Sequence, residues 1–217
     1  MKVELCVVRI EIQGDRIMKQ NNENGFFIAV DAQENMKKDR IVQLLYERLI
    51  SDKKQVYITE EPTQSGMGKL IRENTGDISG YELACLMAAD RYAHIRNEII
   101  PHLKEAEVVI TNQYILSSLV RQEKDEIKEQ YTVEINHNIL KPDLQVVIMD
   151  RPVNMEERLM TRDKLLEIRE ANAGQENYIN TLRAAQILEQ LNIPVAYMND
   201  NESDEELVDK IIALLPC

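Results

Sequence analysis

Residues 26–45 read FFIAVDAQENMKKDRIVQLL, in which a short apolar run leads through a polar loop into a helical pattern. Residues 26–30 carry no charged side chain, which is typical of a strand buried on both faces of a parallel sheet. From residue 40 to residue 50 the isoleucines and leucines recur at the spacing of one helix face. The stretch therefore predicts a buried strand, a loop over residues 31–39 and an amphipathic helix.

The rest of the chain repeats this alternation of short apolar runs and helical segments. Further strands are predicted at residues 56–59, 108–110, 145–149 and 195–198. Helices are predicted at residues 69–73, 81–104, 114–129, 155–169, 177–191 and 204–215, with a kink or a new start at Pro101 and with residues 131–138 open between loop and helix. Such alternation predicts an α/β fold in which helices cover both faces of a mainly parallel five-stranded sheet. Ligands of these sheets bind beyond the carboxyl ends of the strands.

Residues 1–24 precede the first core strand and are predicted to form an N-terminal extension, followed by one domain over residues 25–217. Residues 3–12 have the composition of a strand, and a turn signal at residues 13–15 could let residues 16–19 pair back as a hairpin. An exposed edge strand is a natural place for pairing with another chain. An interface at this extension is therefore a hypothesis.

The chain has 38 acidic and 26 basic residues, which gives a net charge of −12. An acidic surface repels the nucleic-acid backbone and anionic membranes, so neither is expected as a partner. The N-terminus lacks the pattern of a secretory signal, and no stretch approaches the roughly 20 apolar residues of a membrane span. These features predict a cytoplasmic protein.

The cysteines and histidines are scattered along the sequence: Cys6, Cys85, Cys217, His94, His102 and His137. The cysteines are odd in number and far apart, which argues against a disulfide framework. Neither residue type has the spacing of a metal-ligand set, so no metal site is predicted from them.

The loop at residues 31–39 lies where a phosphate-binding P-loop would lie, between a buried strand and a helix. A working P-loop follows the pattern G-x-x-x-x-G-K-[ST], in which backbone N–H groups bind phosphate, the lysine reaches the outer phosphates and the hydroxyl binds Mg²⁺. Aligned on Lys38, the two glycines are replaced by Ala32 and Lys37, and the hydroxyl residue by Asp39. Only the lysine of the pattern is kept.

Four later segments resemble motifs of the thymidylate kinases, in the same order and at the same spacing. They are TEEPTQSGMGKLIR at residues 59–72, LACLMAADRYAH at residues 83–94, VVITNQYILSSLVRQ at residues 108–122 and KPDLQVVIMDRPVNMEERLMTRD at residues 141–163. The resemblance extends from about Phe26 to the C-terminus. It implies a three-layer αβα, P-loop NTPase-like fold and, for an intact member, phosphoryl transfer from ATP to dTMP with Mg²⁺.

The resemblance also implies a substrate pocket. Glu34 matches an acid that meets the sugar, and Arg91 matches the arginine that hydrogen-bonds thymine, although Arg91 and Asp90 could be kept for packing alone. Met87 stands where the family has a phenylalanine that stacks on the base, and Arg121 stands where it has a tyrosine near the sugar. Tyr114, Ser117 and Ser118 match further residues that line the substrate.

For ATP, the resemblance assigns Lys38 to the outer phosphates and Arg158 and Arg162 to the lid that approaches them, with Arg169 as a further candidate. The two lid arginines could instead pair with Glu156 or Glu157 on their own helix.

The charged residues of the phosphate site depart from the family pattern. Asn112 and Gln113 replace the Asp-Arg pair of the D-R-Y motif, and Glu60 replaces the arginine of T-R-E-P. The site thereby loses two cations, while Asp39 and Glu60 add negative charge. Because charge neutralisation carries much of phosphoryl transfer, the leading hypothesis is a catalytically impaired pseudokinase that binds a nucleotide, a protein or both.

Two other hypotheses remain open. An active but divergent nucleoside monophosphate kinase could use Asp39 to bind Mg²⁺ and Lys37 to replace a lost arginine, and only then are ATP and Mg²⁺ expected as cofactors. A new chemistry could use a divalent cation held by Asp31, Glu34 and Asp39. As partners we expect a nucleotide ligand and either a homodimer, formed through the apolar face of the helix over residues 83–95, or a heteromer with another protein.

Overall fold

The computed structural model describes residues 25–33, 35–74, 76–105, 108–124, 127–171 and 175–216. The N-terminal strand and hairpin predicted within residues 1–24 lie outside this part of the chain. Glu34, the residue matched to the sugar-binding acid, also lies outside it.

The sheet has five strands, all parallel, in the order β2-β3-β1-β4-β5. The strands are β1 (Phe26–Ala32), β2 (Val56–Glu60), β3 (Val108–Asn112), β4 (Leu144–Met149) and β5 (Val195–Asn199). The central strand is β1, as its uncharged sequence predicts, and its Val30 pairs with Asn112 of β3. The residues that follow β1 and β3 therefore meet at the same carboxyl edge of the sheet.

The two faces of the sheet are covered by different helices. Successive residues of a strand point to opposite faces, so Ile28 packs with Ile41 on one side while Phe27 packs with Leu182 on the other. The helices are α1 (Asn35–Ser51), α2 (Gly66–Glu73), α3 (Gly80–His94), α4 (Ile100–Lys104), α5 (Ile115–Lys124), α6 (Glu129–Ile135), α7 (Met155–Arg158), α8 (Arg162–Ala171), α9 (Glu176–Gln190) and α10 (Asp204–Ala213). The pair α1 and α10 forms one layer, while α5 and α9 pack together in the other. None of the described helices is long and apolar enough to cross a membrane.

Three predicted helices are interrupted. The helix predicted at residues 81–104 changes to a π-helical turn at Ile95–Ile99 before α4, whose first turn contains Pro101. Proline has no N–H to continue the α-helical ladder, which accounts for a change of pitch just before it. The segment at residues 155–169 divides into α7 and α8, where the Thr161 side chain accepts from the Lys164 N–H and so begins a new helix.

The third interruption falls in residues 114–129. Here α5 ends at Lys124, and α6 occupies Glu129–Ile135, so most of the segment left open between loop and helix is helical. In contrast, α1 is longer than predicted and begins at Asn35. Lys37, Lys38 and Asp39 therefore lie in the first turns of a helix and not in an extended loop.

Candidate ligand-binding site

A cavity of about 530 Å³ opens at the carboxyl edge of the sheet, among α2, α3, α5 and α9. This volume suits a small organic ligand. Its apolar lining includes Pro62, Ile71, Ile78, Leu83, Met87, Leu116 and Val120, and its polar lining includes Asp31, Gln33, Arg72, Gln113, Ser117, Ser118, Arg121, Asn177 and Thr181. A ligand that fits this lining has an apolar part and several polar groups.

Arg91 lies behind the cavity wall with a fully buried side chain. Its Nε and Nη2 atoms lie 2.9 and 2.7 Å from Oε2 of Glu61, and its Nη1 donates to Asn136 over 2.7 Å. Nη2 also donates to the Ser118 hydroxyl over 2.8 Å. Arg91 thus acts on the cavity through Ser118, whose hydroxyl it positions. Paired, hydrogen-bonded burial of this kind is what allows a charged side chain to lie in a core.

The end of β2 is joined to α3 by the same cluster. Glu61 accepts at Oε1 from His94 Nδ1 over 3.1 Å, if that nitrogen carries the proton, while His94 Nε2 lies 2.7 Å from the Thr59 hydroxyl. One turn earlier on α3, Asp90 accepts from the N–H and the hydroxyl of Thr63. These bonds fix the turn that follows β2, which contains the cis Glu61–Pro62 peptide bond.

The cavity wall formed by α2 lies close to this turn. A side chain at Gly68 would overlap the backbone of Thr63, so only glycine permits this approach. Arg72, one turn further along α2, donates to the carbonyl oxygens of Pro62 and Thr63 and to the side-chain oxygen of Gln64. Its guanidinium therefore borders the cavity while holding the turn in place.

At the end of β1, Lys38 is almost fully buried among carboxylates. Burial lowers the pKa of Lys38, while the charges of Asp31, Asp39 and Glu60 act in the opposite direction. The fully buried Asp31 has a raised pKa because burial disfavours its charged form, although the charge of Lys38 and a hydrogen bond from Gln145 partly offset this. One ammonium group is thus shared by three nearby acids.

Gln113 separates Lys38 from the cavity. With its amide oxygen turned toward Lys38, that oxygen lies 2.8 Å from Nζ and its nitrogen donates to the Glu61 carbonyl over 3.0 Å. The backbone of Gln113 is in the left-handed region, with φ of 75°. A non-glycine residue pays for this conformation, and the two side-chain bonds, with a bond from its N–H to Val30, hold it there.

Asp39 and Asn112 form a pair at the outer side of the loop, where Asn112 Nδ2 donates to Asp39 Oδ1 over 2.8 Å. The side-chain oxygen of Asn112 is buried and has no hydrogen-bond partner among the described residues.

The family model for thymidylate kinase matches residues 17–211 of the sequence. The chain belongs to the thymidylate kinase family. It is 32% identical to the probable thymidylate kinase of Pyrococcus horikoshii over 206 residues, which cover 88% of this chain and 96% of the relative. It is 31% identical to the probable thymidylate kinase of Caldivirga maquilingensis over 166 residues, which cover 72% and 80% of the two chains.

Membership in the thymidylate kinase family, together with the all-parallel sheet, confirms the predicted three-layer αβα, P-loop NTPase-like fold. The family match begins at residue 17, inside the segment expected to be an extension. The boundary at residue 25 stays a prediction.

Lys37, which replaces a P-loop glycine of the family, points away from the cavity. Its ammonium donates to the carbonyl oxygens of Asp200 and Glu202 and lies 3.0 Å from the Asp200 carboxylate. The expectation that Lys37 replaces a lost arginine is therefore wrong. The carbonyl oxygens of the β5–α10 loop offer it a better set of acceptors than the cavity does.

The lid arginines of the family pattern do not line the cavity. Arg158 pairs with Glu189 of α9 and places its guanidinium over the Tyr197 ring, 4.9 Å from the centroid. It does not pair with Glu157, which binds Arg151 instead, so the expected pairing within one helix is wrong for this residue. Arg162 is exposed at the start of α8.

The structure thus brings together only part of the predicted site. Met87, Ser117 and Ser118 line the cavity, whereas the buried Tyr114 packs on Phe27 and donates its hydroxyl to Leu140. The cavity also contains Asn177 and Thr181, which sequence reasoning missed because α9 carries no motif. Arg72 could have been predicted from the sequence, since it is the last residue of the motif at residues 59–72.

Proposed function

We propose that this member of the thymidylate kinase family binds a nucleotide in the cavity but does not transfer phosphate from ATP at the rate of an intact kinase. One observation carries the proposal. Lys38 lies close to three acids, Asp31, Asp39 and Glu60, and Gln113 lies between Lys38 and the cavity.

The charge around Lys38 argues against a triphosphate. Like charges at about 4 Å repel by roughly 1–4 kcal/mol between bulk water and a protein surface. A triphosphate here would meet the carboxylates of Asp39 and Glu60 beside the single ammonium group of Lys38. Kinases of this kind depend on cations at the transferred group, and Gln113 and Glu60 supply none. The residues present are therefore a poor fit for ATP.

The cavity itself supports nucleotide binding. Its volume and its mixture of apolar and polar lining suit a base and a sugar. Met87 offers an apolar wall for a base, and Ser117, Ser118 and Asn177 offer hydrogen bonds. The family relatives are named probable thymidylate kinases, so dTMP is the first ligand to test.

One observation favours the alternative of an active kinase on dTMP or another deoxynucleoside monophosphate. The pair of Asp39 and Asn112 keeps one carboxylate and one neutral group, where the family has a hydroxyl and an aspartate. The carboxylate thus lies at residue 39 of the pair and no longer at residue 112. Asp39, together with the side-chain oxygen of Asn112 that has no partner among the described residues, could hold Mg²⁺.

Melting in the presence of ligands tests the proposal. A ligand at about 100 times its dissociation constant stabilises by about 2.7 kcal/mol, which is roughly 5–11 °C for a chain of this size. We expect such a rise with dTMP and none with Mg-ATP. A rise with Mg-ATP comparable to that with dTMP would contradict the proposal, and no rise with any nucleoside monophosphate would remove nucleotide binding.

We also propose that the protein associates with itself or with another protein through α3, but through a different face of this helix from the one predicted. Leu83 and Ile95 are buried within the chain, so the apolar face that was predicted to form the dimer packs into the core. The outer face instead exposes Tyr81 and Tyr92, by 54% and 37%. Light scattering of wild type and Tyr81→Glu tests this, because the substitution should weaken a dimer formed through this face. A wild-type protein that is monomeric at all concentrations would contradict self-association.

A further inference from the structure

Arg121 differs from most other described arginines in its lack of a carboxylate partner among the described residues. Other described arginines are neutralised by carboxylates, namely Arg40, Arg48, Arg91, Arg151, Arg158 and Arg183. Arg121 borders the cavity and forms no hydrogen bond or ion pair with any residue that the structure describes. In a chain of net charge −12, a cation that borders a cavity and has no partner among the described residues is available to a ligand.

Arg121 has a defined place in the cavity wall. It lies four residues after Ser117 on α5, so both side chains share one face of the helix. Gln113, which lies between Lys38 and the cavity, precedes α5. At a rise of about 1.5 Å per residue, Arg121 lies about 9 Å along α5 from its first residue, Ile115. Ser117 lies between them and also borders the cavity.

The second arginine of the wall is already engaged. Three oxygen atoms of Pro62, Thr63 and Gln64 accept hydrogen bonds from the Arg72 guanidinium. Those donors hold the turn after β2. Arg121 keeps its donors for a ligand, and the planar guanidinium suits two oxygens of a phosphate or carboxylate.

We propose that Arg121 binds the anionic group of the cavity's ligand, and that the ligand is a nucleoside monophosphate whose phosphate is held at α5. The inference rests on the proposed nucleotide binding. The region beyond the ends of β1 and β3 is a poor site for this phosphate. The charge of Lys38 is shared by three acids there, and Gln113 lies between Lys38 and the cavity. The cation that binds phosphate has therefore moved from the end of β3 to the middle of α5.

Calorimetric titration of the full chain tests the assignment with three probes: thymidine, thymidine 5′-monophosphate and thymidine 3′-monophosphate. The quantity of interest is the ratio of the affinities with and without phosphate. A hydrogen-bonded contact to a charged group changes affinity by roughly tenfold or more. We expect such a ratio for at least one monophosphate in the wild type, and a ratio near one in Arg121→Gln.

A matched control is Arg96→Gln, because Arg96 is also exposed and its side chain donates, among the described residues, to Asn97 alone. This control should keep the wild-type ratio, and Arg121→Lys should recover part of it. The two monophosphates show which sugar position carries the phosphate toward α5.

Three outcomes would overturn the assignment. An unchanged ratio in Arg121→Gln would place the phosphate elsewhere while leaving nucleotide binding intact. Equal wild-type affinity for thymidine and both monophosphates would mean that no anion is recognised. Absence of binding by all three probes would remove the proposed function as well, so the two failures are distinguishable.

Discussion

At the scale of single residues, the polar side chains at the start of α1 bond to groups at the ends of other strands. Lys38 meets Gln113, Asp39 meets Asn112, and Lys37 reaches the loop after β5. Sequence comparison identifies each substitution. It could not predict these partners, because they come from the ends of two other strands, β3 and β5, and depend on where each side chain points.

The buried Asp31 leads to a prediction about pH. Because burial raises its pKa above the ordinary 3.8, the folded protein holds this proton more tightly than the unfolded chain does. The stability that the proton contributes is complete below that ordinary value and is lost as the pH rises through the folded value. Asp31→Asn should therefore be more stable than wild type near neutral pH, because its amide carries no charge to bury, despite losing the attraction to Lys38.

Melting temperatures of wild type and Asp31→Asn, measured from about pH 4 to pH 7, test this sign. The advantage of the variant should grow as the pH rises. Asp52→Asn, at an exposed position, reports the effect of removing one surface charge. An advantage that shrinks toward neutral pH would show that the ion pair with Lys38 outweighs the burial of Asp31.

Lys37 gives a second prediction. Its ammonium is mostly buried and held by two carbonyl oxygens and the Asp200 carboxylate. Lys37→Met leaves those acceptors without a donor, which should lower the free energy of unfolding by about 1–3 kcal/mol. Urea denaturation measures the loss. Lys69→Met is the matched control, since Lys69 is exposed and its ion pair with Glu73 should contribute less than about 0.5 kcal/mol. Equal losses in the two variants would contradict the role assigned to Lys37.

At the scale of elements, the strands and the break near Pro101 were predictable, and the other two helix interruptions were not. The uncharged run of β1 predicted a strand buried on both faces, because apolar sequence is what such burial requires. The division between α7 and α8 depends on one hydroxyl, that of Thr161. Periodicity is insensitive to such a contact, since the apolar spacing continues through the break. Asn177 and Thr181 of α9 join the cavity only because α9 packs on α5.

The contact of α2 with the turn after β2 gives a third prediction. Gly68→Ala places a methyl group into the backbone of Thr63, so α2 must shift. We expect a loss of about 1–3 kcal/mol in the free energy of unfolding, together with weaker dTMP binding, because Ile71 and Arg72 of the same helix line the cavity.

Gly66→Ala is the control within the same helix, since no atom lies within 4 Å of the added carbon. Alanine is a better helix former than glycine by up to about 1 kcal/mol, so this variant should be as stable as wild type or slightly more stable. A similar loss in both variants would mean that α2 tolerates no side chain for reasons other than this contact.

At the scale of the whole molecule, the chain keeps the fold of the thymidylate kinase family, and the change of charge around its phosphate site is our proposal. The cavity at the sheet edge retains an apolar wall and several hydrogen-bonding groups. The proposal of impaired phosphoryl transfer rests on Glu60 and Gln113, which supply no cation, and on Lys38, whose charge is acted on by nearby acids. The location in the cytoplasm and the association with a partner stay predictions from the sequence.

The most direct measurement is diphosphate formation from Mg-ATP and a panel of nucleoside monophosphates that includes dTMP and dUMP, with an intact thymidylate kinase as the positive control. We predict no diphosphate above the buffer rate from any substrate. Formation of diphosphate well above that rate, with loss of the activity in Lys38→Ala, would contradict the account. It would mean that Lys38, Asp39 and Asn112 form a variant active site and that the alternative of a divergent kinase is correct.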